Sequence, residues 1–157
     1  MITDFKIIPY DKKLIPFFIN FNVEWLDSFF DTEAYDLEVL NNCEELIINQ
    51  GGYIFFGKQE NQIIATFALI NKGNKSYELS KMAVKKNKRG KGCGNKILQF
   101  LVSLGEKNKW KKIYLYSNTK LKNSIYLYRK YNFKEVPLEK KSPYLRANIK
   151  MEINYYY

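Results

Sequence analysis

Residues 76–98 read SYELSKMAVKKNKRGKGCGNKIL, and their pattern decides the fold. Tyr77 and Leu79 are apolar at odd positions and Met82 and Val84 at even ones, so the two-residue alternation of a strand slips between Leu79 and Met82. An extra residue near Ser80–Lys81, a β-bulge, would return both pairs to one face. The alternative is an irregular strand buried on both faces. After Val84 come several lysines and the pattern Arg89-x-x-Gly92-x-Gly94. Helical spacing then follows over about residues 94–109, with Ile97, Leu98, Leu101, Val102 and Gly105 on one side. Small residues ahead of a helix bare backbone amides, and the helix dipole adds positive potential, so this segment reads as an anion site. A P-loop and a dinucleotide fingerprint starting at Gly90 both require glycine at position 95, where Asn95 stands, so neither pattern fits.

Outward from this segment the chain alternates regularly. FKIIPY reads as a first strand, and residues 14–30 as a helix with Phe17, Phe18, Phe21 and Trp25 on one side. Asp31 or Thr32 is placed to cap a second helix reaching about residue 49, which Gly51-Gly52 breaks. YIFFGKQENQIIATFALI reads as a hairpin and SYELSKMAV as the next strand. KIYLYS is a strand, LKNSIYLYRKY a short amphipathic helix, and NFKEVPL and YLRANIKMEI two closing strands. The order β-α-α-β-β-β-α-β-α-β-β predicts one α/β (α+β) domain over residues 1–157. Its sheet is mostly antiparallel, flanked by helices, with one β-α-β crossover at the glycine loop.

Composition narrows the chemistry. The 157 residues contain no histidine, which excludes a histidine base and most zinc chemistry, and no metal site is expected. Cys43 and Cys93 match no metal or redox spacing. No apolar run reaches membrane-spanning length and the N-terminus does not resemble a signal peptide, so a reduced, cytoplasmic protein without membrane contact is expected. The formal charge is +10, yet residues 14–57 hold eight carboxylates (Glu24, Asp27, Asp31, Glu33, Asp36, Glu38, Glu44 and Glu45) and no cation. Such a stretch reads either as solvated helix faces or as an acidic zone opposite a basic one. Lysines interleaved with aromatics in KNKWKKIYLYSN admit a nucleic-acid-binding module, but the Tyr and Leu positions fit strand and helix cores better.

The Arg89-x-x-Gly92-x-Gly94 pattern between a strand and a helix resembles the acetyl-CoA loop of the GNAT superfamily of N-acetyltransferases, written Arg/Gln-x-x-Gly-x-Gly/Ala. YELSKMAV resembles the family's bulged fourth strand, and SIYLYRKYNF its A-x-x-L-Y-x-x-x-G-F helix and strand. The likeness runs from about residue 51 to 153. It implies a GNAT-type fold, acetyl-CoA as co-substrate, and direct attack of an amine on the thioester in a ternary complex. By the resemblance, backbone amides of Met82, Ala83 and Val84 take the pantetheine arm, Met82 nearest the thioester oxygen. Those of Arg89, Gly90, Lys91, Gly92, Cys93, Gly94 and Asn95 take the pyrophosphate. Lys85, Lys86, Lys88, Lys91 and Lys96 would serve the ribose phosphate.

Three positions depart from the family pattern. Leu121 stands where an asparagine is frequent, with Asn118 or Asn123 as substitutes; Ser124 replaces the alanine; Asn132 replaces the glycine and tolerates the same left-handed turn. Glu78 matches the family's base and Tyr128 its proton donor to the CoA thiolate. The plain alternatives are a solvated strand-end carboxylate for Glu78 and a packed helix aromatic for Tyr128. Cys93 as a nucleophile at a helix N-terminus is the weaker reading beside a small loop residue. A non-catalytic CoA-binding member is a further alternative. The acceptor, a small-molecule or peptide amine, stays open; the charge map favours a cationic small amine such as a polyamine. The resemblance makes a homodimer a common arrangement.

Overall fold

A computed structural model describes residues 2–157. Strand β1 spans Phe5–Ile8, and helix α1, with Pro16 in its first turn, spans Ile15–Phe29. Helices α2 (Ala34–Asn41) and α3 (Cys43–Leu46) follow, then strands β2 (Tyr53–Gln59), β3 (Gln62–Asn71) and β4 (Ser76–Val84). Helix α4 (Cys93–Lys107), β5 (Lys112–Ser117), α5 (Lys122–Lys130), β6 (Lys134–Val136) and β7 (Ile149–Asn154) complete the order. The expected succession holds, with the second helix divided in two.

That division has local causes. Glu33, not Asp31 or Thr32, precedes α2, and its amide donates to the Asp36 carboxylate at 2.9 Å. At the other end the Asn42 side chain donates to the Glu38 carbonyl at 2.8 Å, and Asn42 leaves helical geometry. On α1 the buried stripe is Phe18, Asn22 and Leu26, while Phe17 is exposed at the flank and packs on Phe21. The last strand begins only at Ile149; Tyr144 to Ala147 belong to the loop after β6.

One seven-stranded sheet runs in the order β1-β2-β3-β4-β5-β7-β6. Every pairing is antiparallel except β4–β5, the crossover through the glycine loop and α4. Helices α1–α3 cover one face over Phe18, Leu40, Ile47, Ile54 and Phe56. Helices α4 and α5 cover the other over Phe67, Ile97, Leu98, Leu101, Ile113 and Phe133. Each fully buried side chain of this size contributes about 1.5–3 kcal/mol. Both faces of β4 are therefore covered, and the strand also carries the bulge.

Candidate active site

The slip in β4 is a bulge one residue beyond its expected position. Thr66 faces Ala83 and Ala68 faces Ser80, so Lys81 and Met82 together oppose Phe67. Lys81 takes the extra turn with φ at +55° and is gripped from two helices. Asn22 of α1 donates to its carbonyl at 3.1 Å, and Asp36 of α2 meets its ammonium at 2.5 Å. The bulge bends β4 away from its neighbour. Pairing with β5 runs from Ser76–Lys112 to Glu78–Tyr114 and stops. Beyond Glu78 the strands part, and a cavity of about 600 Å³ fills the fork between them.

The glycine loop forms one wall. Gly92, with φ at +98°, immediately precedes α4, a conformation open to glycine and strained for other residues. Arg89 turns inward: its Nε donates to the Val84 carbonyl at 3.0 Å, and its guanidinium pairs with Glu24 of α1. The loop is thereby stitched to both β4 and α1. Arg89, Gly90, Gly92, Cys93, Gly94 and Asn95 line the cavity, whereas Lys91 points to solvent away from it. Of the five loop lysines only Lys88 reaches the wall. Cys93 is buried, and burial pushes its thiol up, the opposite of what a nucleophile needs.

The remaining expected positions are distributed as follows. Met82, Ala83 and Val84 line the cavity along β4, and Asn118, Asn123 and Ser124 line it from the opposite side. The Asn118 side chain is already engaged, donating to the Arg146 carbonyl and accepting from the Lys120 amide, at 2.8 and 2.9 Å. The Asn95 side chain accepts from Tyr131 at 2.7 Å and from Lys130 at 2.9 Å, joining the start of α4 to the end of α5. Asn132 adopts φ of +71°, as its turn requires.

Glu78 and Tyr128 both face this cavity. Glu78 is only 2% exposed, so it is not a solvated strand-end carboxylate. Burial pushes its carboxyl up, partly offset by Lys72 at 3.6 Å, by Lys81, and by the Tyr144 hydroxyl at 3.4 Å. Tyr128 packs its ring 6.0 Å from Phe133, as an ordinary helix aromatic would. Its hydroxyl has no hydrogen-bond partner among the described residues, and burial pushes it up to about 12, so it stays protonated at neutral pH.

Among the described residues, none of the eight carboxylates of residues 14–57 lines the cavity. Asp36 is enclosed by Lys81 and Arg146, Glu33 pairs with Arg146, and Glu24 with Arg89. The carboxylate in the wall is Glu78, which lies beside Tyr144 and Tyr116. Of the aromatics in the 107–118 stretch, Trp110 is 3% exposed and stacked on Tyr77, and Tyr114 and Tyr116 are half-buried. Sequence reasoning missed Tyr144, Arg146 and Lys120. Lys120 spans the fork, donating to the Phe29 carbonyl at 2.6 Å and lying 4.0 Å from the Phe30 ring centroid. Tyr144 and Arg146 read as strand residues, and their partners lie more than sixty positions away. No local signal marks them.

This cavity suits a long anionic thioester. Gly90 leaves open space where a side chain would stand, helix α4 opens on the loop, and the edge of β4 facing β5 is unpaired beyond Glu78. Among the described residues, no helix is long and apolar enough to cross a membrane.

No functionally curated protein matches the chain significantly. Solved structures match it over nearly its whole length. A GNAT-family acetyltransferase from Staphylococcus aureus Mu50 is 25% identical, with 96% of this chain and 98% of that one covered and a TM-score of 0.82. A ribosomal-protein-alanine N-acetyltransferase from Brucella melitensis is 18% identical, covering 96% and 99%, with a TM-score of 0.77. A Vibrio cholerae spermidine N-acetyltransferase, in complex with CoA and spermine, is 17% identical, covering 96% and 95%, with a TM-score of 0.72. At 17–18% identity these last two establish the fold alone. The family model described as an acetyltransferase (GNAT) domain matches residues 50–135, the span holding the bulge, the glycine loop and Tyr128, and the chain belongs to that family of acetyl-CoA-dependent N-acetyltransferases.

Proposed function

We propose that the protein acetylates the primary amine of a small cationic acceptor, such as a polyamine, by direct attack in a ternary complex. The observation that carries this reading is one cavity lined at once by the glycine loop, the open edge of β4, Tyr128 and Glu78. When bound, acetyl-CoA supplies the activated acetyl group. The loop amides from Arg89 to Asn95 hold the pyrophosphate, and those of Met82 to Val84 the pantetheine arm. Glu78 takes a proton from the acceptor ammonium, directly or through a water. Its raised carboxyl lies closer to the acidity of an amine than an ordinary glutamate does. As the C–N bond forms and the C–S bond breaks, Tyr128, protonated and facing the cavity, gives its hydroxyl proton to the departing sulfur and regains one, through solvent, from the second proton that the nitrogen sheds.

A cationic acceptor is supported by Glu78, the carboxylate in the wall among the described residues, whose charge attracts an ammonium group. The acetyltransferases of similar fold include one for spermidine and one for a ribosomal protein's alanine, so fold likeness does not choose between a polyamine and a peptide N-terminus. The test is thiol release from acetyl-CoA across polyamines, amino acids and peptides with free N-termini. The expected result is the highest kcat/KM on a di- or polyamine. A preferred anionic acceptor, or acetyl-CoA binding with no turnover on any amine, overturns the reading.

A further inference from the structure

We propose that Tyr144 is the positioning residue for Glu78: its hydroxyl fixes the carboxylate at the cavity wall and favours its ionised form. Glu78 and Ser80 lie two residues apart on β4, on the same face, and both line the cavity. Tyr144 arrives from the loop after β6 and places its hydroxyl 3.2 Å from Ser80 Oγ and 3.4 Å from Glu78 Oε2. A phenol has one proton. The carboxylate is the stronger acceptor, so Tyr144 donates to Glu78 and accepts from Ser80. The ring cannot drift from this place. Tyr35 of α2 and Tyr116 of β5 pack at 5.5 and 6.0 Å, and Lys81 and Arg146 lie 4.9 and 4.7 Å from its centroid. Arg146, two residues further along, is bound by Asp36 and Glu33, which anchors the loop itself.

The other groups facing Glu78 cannot replace this contact. Lys72, from the turn between β3 and β4, stands 3.6 Å away but is more than a third exposed. The Lys81 ammonium is engaged by Asp36. Burial raises the hydroxyls of Tyr35 and, from β5, of Tyr114 and Tyr116, the Glu78 charge adds to the rise, and none of the three hydrogen-bonds to Glu78 among the described residues. Without Tyr144, a carboxylate that burial already pushes up loses its one side-chain hydroxyl donor among the described residues. The proposal rests on the reading of Glu78 as the base.

The test is Tyr144→Phe, which keeps the ring and its packing, compared with Glu78→Gln. In protein labelled with ¹³C at the glutamate side-chain (Cδ) carboxyl, the Glu78 resonance is assigned by its loss in Glu78→Gln and titrated without ligand. In Tyr144→Phe its midpoint should rise by roughly half to one pH unit, the worth of one hydrogen bond. The acid limb of kcat/KM, on the best amine from the acceptor screen, should move upward with it and vanish in Glu78→Gln. The KM for acetyl-CoA should stay unchanged in both. An unmoved Glu78 midpoint in Tyr144→Phe overturns the positioning role whatever the kinetics show. A Glu78→Gln enzyme that keeps the acid limb overturns the base reading instead, even where the carboxyl midpoint has shifted.

Discussion

Asp36 on α2 and Lys81 in the β4 bulge meet at 2.5 Å with both side chains almost wholly out of solvent. The pair joins the helix layer to the one residue that bends the strand. Arg146 closes the cluster from the far loop with two hydrogen bonds to Asp36, at 2.6 and 2.9 Å. Removing one member strands the others in the interior. Asp36→Ala should cost about 3–5 kcal/mol of stability, measured by urea unfolding. Burial pushes the Asp36 carboxyl up, but hydrogen bonds from Arg146, the charge and hydrogen bond of Lys81 and the Glu33 amide outweigh it and hold it below the usual range. A depressed carboxylate stabilises the fold fully above its unfolded value of about 4 and loses that contribution as pH falls through its folded value. The variant should lose this part of the acid transition.

Gly92→Glu should abolish the rise in melting temperature that acetyl-CoA gives the parent protein. The substitution puts a carboxylate where phosphate is expected, and it places a side chain at φ of +98°. The ligand-free melting temperature, measured alongside, separates backbone strain from lost binding. A full acetyl-CoA shift in a folded variant would refute the loop assignment.

Tyr128→Phe should lower kcat by roughly 10- to 1,000-fold while leaving the acetyl-CoA dissociation constant within about twofold. The hydroxyl has no protein partner among the described residues, so its removal strands no buried polar group and the melting temperature should hold. Weaker binding at unchanged kcat would assign the residue to packing alone.

Gly105 on α4 has a packing reason. A Cβ there would collide with the Tyr155 ring and hydroxyl, which donates to the Val102 carbonyl at 2.8 Å. Gly105→Ala should destabilise the protein by about 1–3 kcal/mol through overpacking. With Tyr155→Ala in the background it should turn stabilising by up to about 1 kcal/mol, the helix preference of alanine. Thermal melts of the four proteins in this cycle decide the matter, with KM unchanged throughout.

The parts of this protein written locally were legible in its sequence. The phase slip between Leu79 and Met82 marks the bulge because the side chains of a strand alternate strictly. The run Arg89 to Gly94 marks the loop because positive φ and bare amides require small residues. What escaped is written between distant segments. Nothing near Asp36 announces that Lys81 and Arg146, 45 and 110 residues away, will neutralise it, so the acidic stretch read as a surface zone. Tyr144 could not be told from a strand residue, since its place depends on Arg146 anchoring the loop. Phe17 misled because its apolar side chain fits a helical stripe that in fact runs one residue later, through Phe18.

The position of β7 bears on how the chain is made. This strand lies between β5 and β6, although it follows both in sequence. While the protein is being synthesised, every other strand leaves the ribosome before it. Until Ile149–Asn154 emerge, β5 has a partner only along Ser76–Glu78 of β4, and its other edge, Lys112–Ser117, is bare. A chain truncated just short of Ile149 would therefore carry an exposed strand edge on a nearly complete domain, a template for pairing with another chain and a natural target for chaperones.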